Sequence, residues 1–292
     1  MDATAHDIGG DGLSARISAA GAELVSLAAG GREFLWRGDP AWWGRQAPIL
    51  FPIVGRLEDD ALRHRGHVHR IGQHGFARDS AFAWVERGAR CCVLRLSDDE
   101  ATRTRFPFAF DLRVAYEIAD GRLDVTFRVA NPGTDDLPFG IGAHPGIVWP
   151  LAPGIPRAAH EILFSAVEGP TVRRVKGALL DPAPQPSPLA GRRLALHDGL
   201  FENDALIFDP LASRSLVFTA PGAPRVEIGW EGFPHLGIWS KPGAPFLCVE
   251  PWQSYVAPAG LGGEFSAKPG LATLPPGAAR EWRHWFRISP AA

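Results

Sequence analysis

Glycine and proline break this sequence into short apolar runs, and that punctuation limits the folds open to it. The 292 residues include 33 Gly and 27 Pro, scattered along the chain instead of gathered into one low-complexity tract. Turns at such intervals suit strands and leave little room for long helices. The runs themselves have strand character. In RLDVTFRVAN, Leu123, Val125, Phe127 and Val129 share one face while Asp124, Thr126 and Arg128 share the other, the period-two pattern of a half-buried antiparallel strand. LSARISAAG, REFLWRG, RCCVLRLSD, DLRVAYEIA, LGIWSK, FLCVEP and REWRHWFRIS are further candidates. DDEATRTRFPF has space for a helical turn or two before Pro107 stops it. An all-β sandwich of antiparallel sheets is expected, one domain over residues 1–292. The Pro-rich DPAPQPSPLAGRR (181–193) reads as a surface loop, because strands of one character continue on both sides.

Composition excludes several classes of function. A formal net charge of -2 gives no basic field for nucleic acid or acidic lipid. No apolar run approaches the roughly 20 residues of a spanning helix, and Asp2, His6 and Asp7 stand where a signal peptide needs a basic start and an apolar segment. Cys91, Cys92 and Cys248 are odd in number and lack CxxC spacing, so they read as reduced thiols in a cytoplasmic protein. The partner left by these exclusions is a small, near-neutral or modestly charged molecule, taken by a monomer or homodimer.

Four stretches set one proton-handling or charged side chain among Gly, Pro or aromatic residues: PILFPIVGR (48–56), QHGFARD (73–79), GIGAHPGIVWP (140–150) and FLCVEPW (246–252). Glu250 ends an apolar run, where desolvation would raise its pKa and make it a better base; a structural ion pair with an arginine is the plainer alternative. His144 titrates near working pH and suits a proton donor, or a hydrogen-bonded core position. His74 can donate a hydrogen bond to a ring or hydroxyl oxygen. Arg56 and Arg78 carry forks for a hydroxyl or a carboxylate, or are ordinary surface arginines. Asp204 precedes an apolar run and either binds or caps a turn. Trp239 and Trp252 have flat faces for stacking on a sugar ring, although ten tryptophans mean that most belong to the core. RHRGHVHRIGQH (63–74) gathers His64, His67, His69 and His74. Its spacing matches no standard zinc site and no Cys joins it, so no metal is expected there.

Read in order, FPIVGR, QHGFARD, GAHPG, ENDALIF, GIWSKPGAPFLCVEPW and AKPGLATLPPGAAREWRHWFRI resemble the motifs of the aldose 1-epimerases, the galactose mutarotase family. The likeness runs from about residue 13 to 288 and is nearest to a bacterial branch carrying HGFARD and EPW. It implies a supersandwich of antiparallel sheets and the metal-free, cofactor-free interconversion of α and β anomers of a sugar. On this likeness Glu250 takes the proton of the anomeric hydroxyl, His144 protonates the ring oxygen, and His74, Arg56 and Asp204 hold the substrate. After EPW the family pattern often has Tyr and Gly, whereas this chain has Gln253 and Ser254; that places its sugar preference in question. A hexose-6-phosphate 1-epimerase and a non-catalytic sugar-binding protein on the same fold are the competing readings.

Overall fold

The structure is a computed structural model that describes residues 4–291. The alternating runs do form antiparallel strands. Nine of them build one large sheet in the order 193–195, 161–164, 215–219, 225–231, 279–289, 122–130, 111–119, 91–97 and 83–87. In the strand Arg122–Ala130 the apolar set Leu123, Val125, Phe127 and Val129 points inward and is almost fully buried.

Against that sheet lies a second one, ordered 206–208, 235–239, 246–253, 141–143 and 49–50, with 146–148 also paired to 246–253. Leu247 and Val249 of its central strand join Val125, Phe127 and Phe286 of the large sheet in one continuous core. A four-stranded sheet formed by residues 5–10, 13–18, 24–29 and 32–33 completes the sandwich. Its Ile17, Leu24 and Leu27 enter the same core. The architecture is the expected all-β sandwich of antiparallel sheets.

Local departures have simple causes. The run REFLWRG is a strand only at Arg32–Glu33, because its later backbone groups change partners: Phe34 N–H donates to Leu27 and Trp36 N–H to Gly146. The short helix Glu100–Arg105 matches the turn or two expected there. Asp99 caps it, accepting from Thr102 N–H at 2.6 Å while Thr102 Oγ1 accepts from Asp99 N–H at 2.8 Å. Residues 181–193 lie largely at the surface. No helix among the described residues is long and apolar enough to cross a membrane.

Candidate active site

The strand Phe246–Gln253 is buried along its whole length, as the centre of a sheet covered on both sides must be. Its alternation assigns the two faces: Leu247 and Val249 go to the core, whereas Glu250 and Trp252 face a cavity of about 440 Å³. Opposite it the chain pairs Gly142 with Trp252, breaks at His144–Pro145, and resumes with Gly146 against Cys248. The same register carried across the break sets His144 facing Glu250. Their side chains meet with Nε2 to Oε2 at 3.1 Å. Trp252 lies across two glycines of the neighbouring strands: a Cβ at Gly142 would stand 2.6 Å from its ring, and one at Gly237 2.5 Å.

His74 reaches the cavity from the turn of QHGFARD. Gly75 has φ +73°, and a Cβ there would come within 2.2 Å of the Phe51 carbonyl oxygen, so only glycine permits this turn. The N–H of Gly55 donates to His74 Nδ1 at 3.1 Å. Nδ1 is therefore an acceptor, and the neutral ring carries its proton on Nε2. The His74 and His144 rings are perpendicular, 5.6 Å between centres.

Burial dominates the electrostatics. It pushes Glu250 well above the usual carboxylate range, with the charge of Asp204 adding to the rise and the Trp252 indole N–H opposing it. It lowers His144 to about 3 and His74 well below an ordinary histidine. Each charged form is disfavoured alone, but the pair Glu250–His144 with one proton is neutral overall whichever group holds it. One proton on the pair leaves no net charge in an apolar site; at 3.1 Å the contact is a close approach and not an aligned hydrogen bond, since Glu250 Oε2 has no hydrogen-bond partner among the described residues.

All eight residues singled out in the sequence line this one cavity, with differences in detail. Arg56 pairs with neither Glu250 nor any other cavity carboxylate: its Nε and one terminal nitrogen donate to Asp60 at 2.6 Å each. Arg78 is mostly buried and donates to the Gln73 carbonyl at 2.7 Å. Asp204 sits at the rim with φ +64° and accepts from Ala205 N–H. Trp239 stands edge-on to His144, 5.7 Å away.

The question raised by Gln253 and Ser254 resolves differently from expectation, since neither lines the cavity. Gln253 donates to the Gly270 carbonyl at 2.7 Å, and Ser254 accepts from the buried Lys268 ammonium at 2.6 Å. Both fasten the 268–270 segment. Of the other histidines of 63–74, His69 meets the Thr104 carbonyl and His64 meets Glu264.

Trp43, Val175, Ala178 and Val256 line the cavity but carried no sequence signal of their own. Trp43 belongs to a loop with no strand periodicity, in a chain of ten tryptophans. Val175 and Ala178 lie on a small hairpin, 175–176 paired to 179–180, that borders the opening. Cys248 sits one strand period before Glu250, and the donor atoms of His144, Cys248 and Glu250 lie within 4.8 Å of one another. This nitrogen, sulfur and oxygen set has the donor types of a zinc site. Cys248 lies outside the cavity lining and burial raises its thiol pKa far above normal, so a metal would have to displace its proton and the one shared by the pair.

Comparison with known proteins agrees with the fold. A galactose mutarotase related enzyme from Lactobacillus acidophilus superposes with TM-score 0.93 at 30% identity, covering 98% of both chains. A galactose mutarotase-like protein from Lactobacillus casei gives 0.91 at 28% identity, covering 97% of this chain and 99% of that one. Protein LacX of Lactococcus lactis is 29% identical over 276 residues, 90% of this chain and 92% of LacX. The sequence model of the Aldose 1-epimerase family matches residues 6–259, and the chain belongs to that family.

Proposed function

We propose that this protein is an aldose 1-epimerase that interconverts the α and β anomers of a hexose. The observation that carries the reading is the Glu250–His144 pair, Glu250 on a buried strand and His144 in the break between 141–143 and 146–148, with Nε2 and Oε2 3.1 Å apart at the wall of a cavity of about 440 Å³. That volume lies in the roughly 300–1,000 Å³ range of small-molecule sites.

In the working state Glu250 is a carboxylate and His144 an imidazolium. Glu250 accepts the proton of the anomeric hydroxyl while His144 gives its proton to the ring oxygen. The bond from C1 to the ring oxygen breaks and the hydroxyl oxygen becomes the carbonyl of an open-chain aldehyde. The proton is then on Glu250 and His144 is neutral, which is the form that burial favours. Rotation about C1–C2 presents the other face of the carbonyl. Reclosure returns each proton to its starting group, so no base or acid is consumed. His74, with its Nε2–H aimed at the cavity, Arg78 and Asp204 orient the hydroxyls, and Trp252 forms an apolar wall.

Arg56 and Arg78 are the cations available to a phosphorylated sugar. One is forked onto Asp60 and the other held by the Gln73 carbonyl, so a neutral hexose has the stronger support. Polarimetry of fresh α-D-galactose, α-D-glucose and glucose 6-phosphate tests this, and acceleration is expected with a neutral sugar. Acceleration confined to the phosphate would replace the reading with a hexose-6-phosphate 1-epimerase; sugar binding without acceleration would replace it with a binding protein.

A further inference from the structure

We propose that Trp43 is the positioning residue for His144: its indole holds the imidazole in line with Glu250 and stabilises the imidazolium that ring opening requires. This rests on the epimerase reading. Catalytic imidazoles are usually oriented by an acceptor on the ring nitrogen remote from the chemistry. His144 lacks one, because its Nδ1 is buried and has no hydrogen-bond partner among the described residues. Its own main-chain carbonyl favours the charged ring, but burial outweighs it.

Aromatic faces take the place of that acceptor. The Trp43 ring lies over the imidazole with centres 4.8 Å apart and planes inclined by 30°, and Trp239 closes the side at 5.7 Å and 79°. The two indoles touch each other edge to face at 5.7 Å, and Phe246 backs both. Trp43 is itself fixed. Its carbonyl accepts from Trp36 Nε1 at 2.9 Å, its N–H donates to the Asp39 carbonyl at 2.9 Å, and Gln46 ties the end of the loop to Val25 and Trp36. An indole face attracts a cation within about 6 Å of its centre and attracts a neutral ring much less. The contact therefore favours the charged state of His144 over the neutral one, a differential effect of the kind that raises turnover. The charged or titratable groups facing His144 are Glu250 and Cys248 from the central strand, His74 from its turn, and Arg78 and Arg45, which oppose added positive charge.

The test compares Trp43→Phe and Trp43→Leu with the wild-type chain, by anomerisation of galactose and glucose and by NMR titration of the His144 Cε1–H without sugar. In Trp43→Leu kcat should fall about tenfold, as expected for loss of a partly desolvated cation–π contact, with KM nearly unchanged. Trp43→Phe should recover most of the rate. The pH at which His144 titrates should fall in the order Trp, Phe, Leu. A loss confined to KM would make Trp43 a sugar platform, and a His144 pKa that rises on removal of the ring would make it only a barrier to water; either overturns the proposal. If Trp43→Leu does not fold, a Phe variant whose His144 titration does not fall below that of the wild type overturns it equally. A wild-type protein inactive on every sugar would sink the epimerase reading instead, while the NMR order still decides the contact.

Discussion

At the scale of single residues, the proposed chemistry rests on two groups whose environments disfavour charge on each separately but tolerate one proton between them. Glu250→Gln keeps the shape and neutrality of the protonated carboxyl and removes the proton acceptor. Its rate should fall by roughly 10²–10⁴, the usual contribution of a positioned acid or base, while its melting temperature stays close to wild type. The pH profile is a second consequence. The one-proton state is lost to acid only when His144 gains a proton beside a protonated Glu250, and burial moves that step from 6.5 to about 3. In alkali it is lost at the raised Glu250 value, so kcat/KM should show an acid limb far below that of an ordinary histidine and an alkaline limb above that of an ordinary carboxylate. A limb near 6.5 would mean that His144 titrates as a solvated group. The sequence made these two residues visible because each interrupts an apolar context, in FLCVEPW and GAHPG. It could not make Trp43 visible, since the contact joins positions 101 residues apart through a loop without periodicity.

At the scale of elements, the site depends on strand register. A one-residue slip of Phe246–Gln253 would turn Glu250 into the core and Val249 into the cavity. Gly142 and Gly237 flank the strand and admit the Trp252 ring. Gly237→Ala should force that ring from its place, costing about 1–3 kcal/mol as overpacking and lowering activity. Chemical denaturation together with the anomerisation rate checks both effects, and a variant of unchanged stability and rate would show that the ring has room to shift. Alternating strands such as Arg122–Ala130 were legible because one face is wet. The pairing of Arg32–Glu33, the short strand Ile49–Leu50 and the hairpin at 175–180 were not. Their strands are two residues long and carry too little periodicity, and the partner of Ile49–Leu50, at 142–143, lies far away in the chain.

For the whole molecule, burial of neutral histidines sets the response to acid. His74, His144 and His284 are all lowered by burial, the last two to about 3. Unfolded, they return to 6.5, so between those values the unfolded chain binds more protons and stability falls as pH falls. Each contributes up to about 1.4 kcal/mol per pH unit in that window. Glu250 acts oppositely: its raised pKa gives stability that is present at low pH and lost as pH rises through the folded value. Three groups outweigh one, so the melting temperature should drop between about pH 7 and pH 5. His284→Phe should flatten the drop; an unchanged slope would mean that His284 is not buried as the neutral ring. The central claim, that a buried Glu250–His144 pair opens and closes a sugar ring, is tested most directly by following α-to-β conversion of fresh galactose and glucose with wild-type and Glu250→Gln protein. Acceleration by wild type that disappears in the folded variant is the expected result. Equal acceleration by both proteins would contradict it.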